Sequence, residues 1–211
     1  MKKFALGCGG LIVLLVLIVG IGGCSSYNKL VGSSQQVDSS WAQVQNQYQR
    51  RADLVPNLVQ TVSGAANFEK STLTDITQAR ASVGQVKIDP NSAPTDPNKL
   101  QQFQKAQDQL GSALSRLLVV SERYPDLKAN ASFRDLQAEL AGTENRIAVE
   151  RMRFNEAVQG YNTSVRRFPT VLIAGMMGFQ PKPYFQATAG SDKPPKVQFD
   201  FGGQKTVPAE K

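Results

Sequence analysis

Three glutamates stand in or beside rows where helical spacing calls for apolar residues. Glu69 sits in the apolar row of its helix, and on the long helix Thr143 or Glu144 and Glu150 or Arg151 fall where the second apolar row should run. A set of inward carboxylates can hold a hard cation through oxygen ligands. The chain has no histidine, which removes Ser-His-Asp and Cys-His triads and the Glu-x-x-His sites of di-iron bundles. Its two cysteines, Cys8 and Cys24, cannot build a zinc site by themselves. On one helix they would lie about 24 Å apart, out of disulfide reach. A carboxylate-based metal or small-ligand site is therefore the alternative chemistry that these residues leave open. The leading expectation is that Glu144, Glu150 and Arg151 form a core polar network of paired charges without a cofactor, because an unpaired buried charge is costly.

A second charged set flanks two prolines. Arg50, Arg51 and Asp53 precede Pro56, and Glu122, Arg123 and Asp126 surround Pro125. Two tight corners at the same end of an up-down bundle would bring these groups together. There they would act as a polar lock on helix register, or as an interaction tip on irregular loops. Lys and Arg total 24 against 17 Asp and Glu, a net charge of +7. That charge is spread along the chain and not gathered in a stripe, so no nucleic-acid partner is expected.

The elements that must position these groups follow from periodicity. Phe133, Leu140, Ile147, Phe154, Tyr161 and Phe168 repeat every seven residues and define the seam of one long helix. Tyr27, Ser34, Trp41 and Tyr48 make one row of the first helix, and Leu30, Val37 and Val44 the other. A corner is expected near 51–56, where Asp53 can cap and Pro56 can occupy a first turn, with a kinked continuous helix as the alternative. Leu58, Val62, Leu73, Ile76 and Val83 carry a second helix, and the proline-rich 87–98 a loop. Leu100, Phe103, Gln107, Leu110, Leu114, Leu117, Ser121 and Tyr124 carry a third helix, which Pro125 ends. The fold class is all-α: an N-terminal membrane anchor, an antiparallel four-helix bundle with long helices over 27–179, and a disordered Pro/Gly/Lys-rich tail over 180–211. Within that tail Val197–Phe201 alternates weakly like a strand.

Residues 4–23 are uncharged and mostly apolar, long enough to cross a bilayer as a single pass. Lys2 and Lys3 would hold the N-terminus inside and place the bundle outside the cytoplasm. Ile21-Gly22-Gly23-Cys24 also fits a lipobox, so Cys24 is a candidate for lipid attachment in a cleaved lipoprotein form of 1–26. The apolar stretch 170–179 is too short to span, and either lies in the membrane interface or caps the bundle.

Several longer motifs carry a resemblance. Tyr27-Asn28-x-Leu30-Val31, Trp41-x-x-Val44, Arg50-Arg51-Ala52-Asp53-Leu54-Val55-Pro56-Asn57, Glu122-Arg123-Tyr124-Pro125-Asp126-Leu127 and Gly142-Thr143-Glu144-Asn145-Arg146-Ile147 together resemble the LemA family over 27–185. The resemblance implies a bacterial membrane protein with one N-terminal helix and a helical bundle. It brings no known reaction, and it places relatives in the bacterial envelope and in magnetosome membranes. The function expected is a non-enzymatic scaffold or interaction module in the cell membrane, touching lipid through residues 4–23 and an envelope protein through its body, with homo-oligomers as a further association. Membrane shaping is the other alternative.

Overall fold

The computed structural model describes residues 2–64, 68–89 and 92–187, with side chains described from residue 20 onward. The chain is all-helical, and there is no strand among the described residues. The helices are α1 (Lys2–Ser63), α2 (Lys70–Gln85), α3 (Pro97–Ser121), α4 (Pro125–Ala129), α5 (Ala131–Arg166) and α6 (Thr170–Met177). They associate mainly as two pairs, α1 with α5 and α2 with α3. Arg50 to Glu139, Arg51 to Glu144 and Trp41 to Phe154 show that α1 and α5 run antiparallel. Trp41 to Phe103 and Arg51 to Gln107 set α3 alongside α1 in the same direction.

The heptad seam of α5 faces inward at Phe133, Leu140, Ile147, Phe154 and Tyr161, all buried. Its sixth member does not: α5 stops at Arg166, and Phe168 is 76% exposed. The core divides into two apolar clusters. One gathers Leu30, Val37, Trp41, Val44, Phe103, Phe154 and Val158; the other gathers Val55, Leu58, Val62, Ile76, Leu110, Leu117 and Phe133. The start of α2 and the end of α3 meet where Phe68 packs on Tyr124 at 4.9 Å and Glu69 pairs with Arg123 at 2.8 Å.

Two expectations need correction. The first is the corner at 51–56: α1 continues through it with Pro56 inside the helix, as the continuous-helix alternative had it. Proline at position 56 has no N–H for the carbonyl of Ala52 four residues back, which normally breaks a helix at a cost of about 3 kcal/mol. Here the Arg80 Nε of α2 donates to that carbonyl at 3.2 Å, so the orphaned acceptor is satisfied from a neighbouring helix. Asp53 does not cap; it accepts from Gln49 Nε2 one turn earlier.

The second correction is the tail. Residues 179–187 do not start a disordered segment but lie extended along the body, hydrogen-bonded to α3 and α5. The candidate strand at 197–201 lies outside the described residues. Among the described residues no helix is long and apolar enough to cross a membrane. Most of the 4–23 anchor falls on positions whose side chains are not described.

The Pro56 arrangement generates a coupled prediction. Arg80→Ala should cost about 1 kcal/mol while Pro56 is present, the usual net worth of one hydrogen bond. In a Pro56→Ala background, where residue 56 again donates to Ala52, the same change should cost close to nothing. Urea unfolding of the four chains measures the coupling.

Candidate functional site

Two built features carry the polar chemistry of this body. The first lies between the two apolar clusters. Arg51 is 3% exposed, and a guanidinium taken that far from water must find acceptors. Its Nη1 donates to Glu144 Oε1 at 2.9 Å, and its Nη2 donates to the Gln107 carbonyl at 2.9 Å and to Gln107 Oε1. The guanidinium carbon stands 5.1 Å from the centre of the Tyr48 ring, a cation–π distance. Nε alone has no partner. Three helices thus converge on one charge: Arg51 from α1, Gln107 from α3 and Glu144 from α5. Burial raises the Tyr48 phenol above its ordinary 10.0, while the cations of Arg151 and Arg51 pull it down.

The second feature is a groove in which residues 180–186 lie as a strap. Gly178, at φ 76, turns the chain out of α6 in the left-handed region that favours glycine. Pro181 and Pro183 then keep the strap extended and bring no N–H to bury. The groove reads its backbone through side-chain amides. Asn162 accepts from the Lys182 N–H and donates to its carbonyl, both at 2.8 Å. Asn155 does the same for Phe185, at 2.9 and 3.0 Å. Gln104 does so for Gln186, at 3.3 and 2.7 Å. Tyr161 donates its hydroxyl to the Gln180 carbonyl, and burial, with Asp38 second, raises its phenol.

Side chains of the strap fill two further subsites. Lys182 Nζ pairs with Asp38 Oδ1 at 2.8 Å, donates to Ser34 Oγ and lies near the Tyr161 ring. The same Asp38 oxygen accepts from the Ala93 N–H, tying the approach to α3 to α1. Phe185 enters an aromatic box of Trp41 and Phe154, ring centres 6.0 and 5.3 Å away, with the Arg151 guanidinium 4.8 Å from its centre.

The residues singled out from the sequence are distributed differently from the expectation. Arg50 and Arg51 do not meet Glu122 and Asp126, because without a corner at Pro56 they sit in mid-helix. Arg50 pairs with Glu139 at 2.7 Å; Glu122 pairs with Lys128 at 2.5 Å; Asp126 lies exposed in the first turn of α4. Glu144, Glu150 and Arg151 do not pair with one another. Glu150 meets Arg153 at 2.7 Å, and Arg151 donates to the Gln186 carbonyl and approaches Asp108 at 3.9 Å. Glu69, Glu144 and Glu150 are held by three different arginines, and no group of three acidic or cysteine side chains converges among the described residues. Cys24 is exposed on α1.

Sequence reasoning missed Asp38, Gln104, Lys182 and Phe185. One signal was visible: Asn155 and Asn162 are seven residues apart and share a face of α5.

Removing Glu144 leaves the buried Arg51 without a counter-charge, held by Gln107 and the Tyr48 ring. Glu144→Ala should therefore cost about 2–3 kcal/mol, whereas Glu139→Ala, at an exposed pair, should cost under about 1 kcal/mol. Denaturant titration of both variants decides it. The raised Tyr48 value means that the folded chain holds this proton more tightly than the unfolded chain. Its stabilising contribution is complete below pH 10.0 and is lost as pH rises through the folded value. Stability followed upward from that pH should fall less steeply for Tyr48→Phe than for the parent.

Known proteins match this chain across the same body. Magnetosome protein MamQ 2 of Paramagnetospirillum magneticum is 25% identical over 187 residues, covering 80% of this chain and 67% of that protein. Magnetosome protein MamQ of Magnetospirillum gryphiswaldense is 31% identical over 84 residues, 40% of this chain and 31% of its own length. Protein LemA of Metamycoplasma hominis is 25% identical over 161 residues, 76% of this chain and 69% of that protein. Residues 40–199, which include the Arg51 layer and the whole strap, match the LemA family, and the chain belongs to it.

Proposed function

We propose that this protein is a membrane-tethered, non-enzymatic helical scaffold of the bacterial envelope, its antiparallel four-helix body held by an uncleaved single-pass anchor. The observation that carries this reading is the continuity of α1. One helix runs from Lys2 through Cys24 and on to Ser63, so the apolar run 4–23 and the body share a single rod. A lipobox cut before Cys24 would sever that rod within a helix, which favours the anchor over the lipoprotein form. Lys2 and Lys3 orient the body outward. The names of the magnetosome relatives accord with a membrane setting. Arg51 with Glu144 and Glu69 with Arg123 join different helices or their ends, and Glu150 is taken up by Arg153 within α5, which favours a structural role for these charges over a metal or small-ligand site. An envelope protein is the expected partner of the body, and crosslinking in cells identifies it.

The anchor is tested on the full-length chain by alkaline extraction of membranes, intact mass and fatty-acid labelling. The expected outcome is a chain that stays with the membrane, keeps its residues before Cys24, and behaves the same as Cys24→Ser. Release of Cys24→Ser from the membrane, or a mature N-terminus at an acylated Cys24, would establish the lipoprotein form instead.

A further inference from the structure

The short helix α6 presents an apolar face that the body does not cover. Its Ala174 is buried and its Ile173 half-buried, while Val171, Leu172, Met176 and Met177 are exposed, Met176 at 82%, with exposed Phe168 just before them. A contiguous exposed cluster of this kind marks a contact surface, where a lone Val119 on α3 does not.

The position of α6 identifies the occupant. Because α5 runs antiparallel to α1, its end returns to the level at which α1 enters the body. There the Ile173 Cδ1 lies 4.0 Å from where a Cβ on Gly23 would stand. The rings of Tyr27 and Phe179 meet edge-on with centres 5.8 Å apart. Gly23 and Tyr27 stand at and just beyond the end of the apolar run 4–23. Ile21, on the last turn of that run, is also exposed. The two segments that meet here carry charge of one sign. Lys29, Arg166 and Arg167 are exposed, and no Asp or Glu occurs in 4–37 or 163–181.

The geometry points to α6 as a second membrane contact, an interfacial helix that beds Val171, Leu172, Met176 and Met177 at the boundary of headgroups and acyl chains. Lys29, Arg166 and Arg167 face the lipid phosphates from the body side. Exposed aliphatic and thioether groups beside basic residues are what an interfacial helix offers to a lipid surface with anionic headgroups. The two contacts divide the work. A lone transmembrane rod leaves its body free to swivel and lean, and a contact at α6 fixes the angle at which the body leaves the membrane. This inference rests on the tether proposed above, and the two can fail separately.

The test uses the full-length chain with Cys8 and Cys24 replaced by Ser and a bimane fluorophore on Met176→Cys. The chain is reconstituted into vesicles of phosphatidylcholine and phosphatidylglycerol whose lipids carry a nitroxide either near the headgroup or deep in the acyl chain. Leu172→Cys gives a second reading site, and Val119→Cys on α3 the control. Flotation after an alkaline wash reports the tether, because the wash strips an interfacial contact and leaves a transmembrane helix in place. The expected result is loss of bimane fluorescence at positions 172 and 176 with the shallow nitroxide, a weaker loss with the deep one, and none at 119. A chain that floats with positions 172 and 176 no more quenched than 119 overturns the inference and leaves the tether standing. Stronger quenching by the deep nitroxide also overturns it, because the helix would then be inserted and not interfacial. A chain that neither floats nor quenches overturns both.

Discussion

A positive charge in the middle of an apolar core constrains the rest of this molecule. Arg51 separates the Trp41 cluster from the Leu58 cluster, and each of its acceptors comes from a different helix. Apolar contacts tolerate a slide of one turn, because one leucine fits much as another does. A guanidinium that needs Gln107 and Glu144 at hydrogen-bond distance does not tolerate it. A single residue thereby sets the axial register of α1 against α3 and of α1 against α5. Buried ion pairs add little net stability, and their best-attested use is this kind of specification. Thr143, fully buried beside Glu144, accepts from Arg146 and donates to the Glu139 carbonyl, so the α5 side of the layer is itself held in place.

The strap depends on that register. Its backbone is paired with amides of both α3 and α5, and its two buried side chains enter subsites lined by α1, so it fits only when the three helices stand at the right heights. A β-edge would bind such a segment with backbone groups. Here the helices have no backbone groups to spare, and Asn and Gln side chains, each with a donor and an acceptor, take their place. Recognition of this kind is indifferent to most strap side chains. It is exacting at Lys182, which must reach Asp38, and at Phe185, which must fill the aromatic box.

How much of this was legible in the sequence depended on distance along the chain. The α5 seam from Phe133 to Tyr161 was readable because its period is a property of one helix, and all five residues are buried as that period requires. The corner at Pro56 was a misreading with a definite cause. Local rules say that proline ends a helix, and the donor that compensates, Arg80, belongs to another helix 28 residues away. That error moved Arg50, Arg51 and Asp53 to a tip they do not occupy, and so paired them with Glu122 and Asp126 in place of Glu139 and Glu144. The strap was hidden for a related reason. Gln-Pro-Lys-Pro has the composition of a disordered segment, and it is ordered only by side chains that lie up to 82 residues earlier for its backbone and 148 for its lysine. The polar positions Gln107 and Glu144, out of place in apolar rows, were the true local signs of a buried charge.

The strap also sets an order of events during synthesis. A ribosome delivers the chain from the N-terminus, so the apolar run and the Trp41 face of α1 emerge long before Phe185 does. Contacts between residues this far apart in sequence cannot form early, whatever their strength. Trp41 and Phe154 must therefore pass through an interval in which one wall of their box is missing. During that interval the same aromatic surface is open to other nascent chains and to chaperones. The strap residues act as the closing stitch, and a chain released without them would keep its helices while leaving its aromatic centre unsealed.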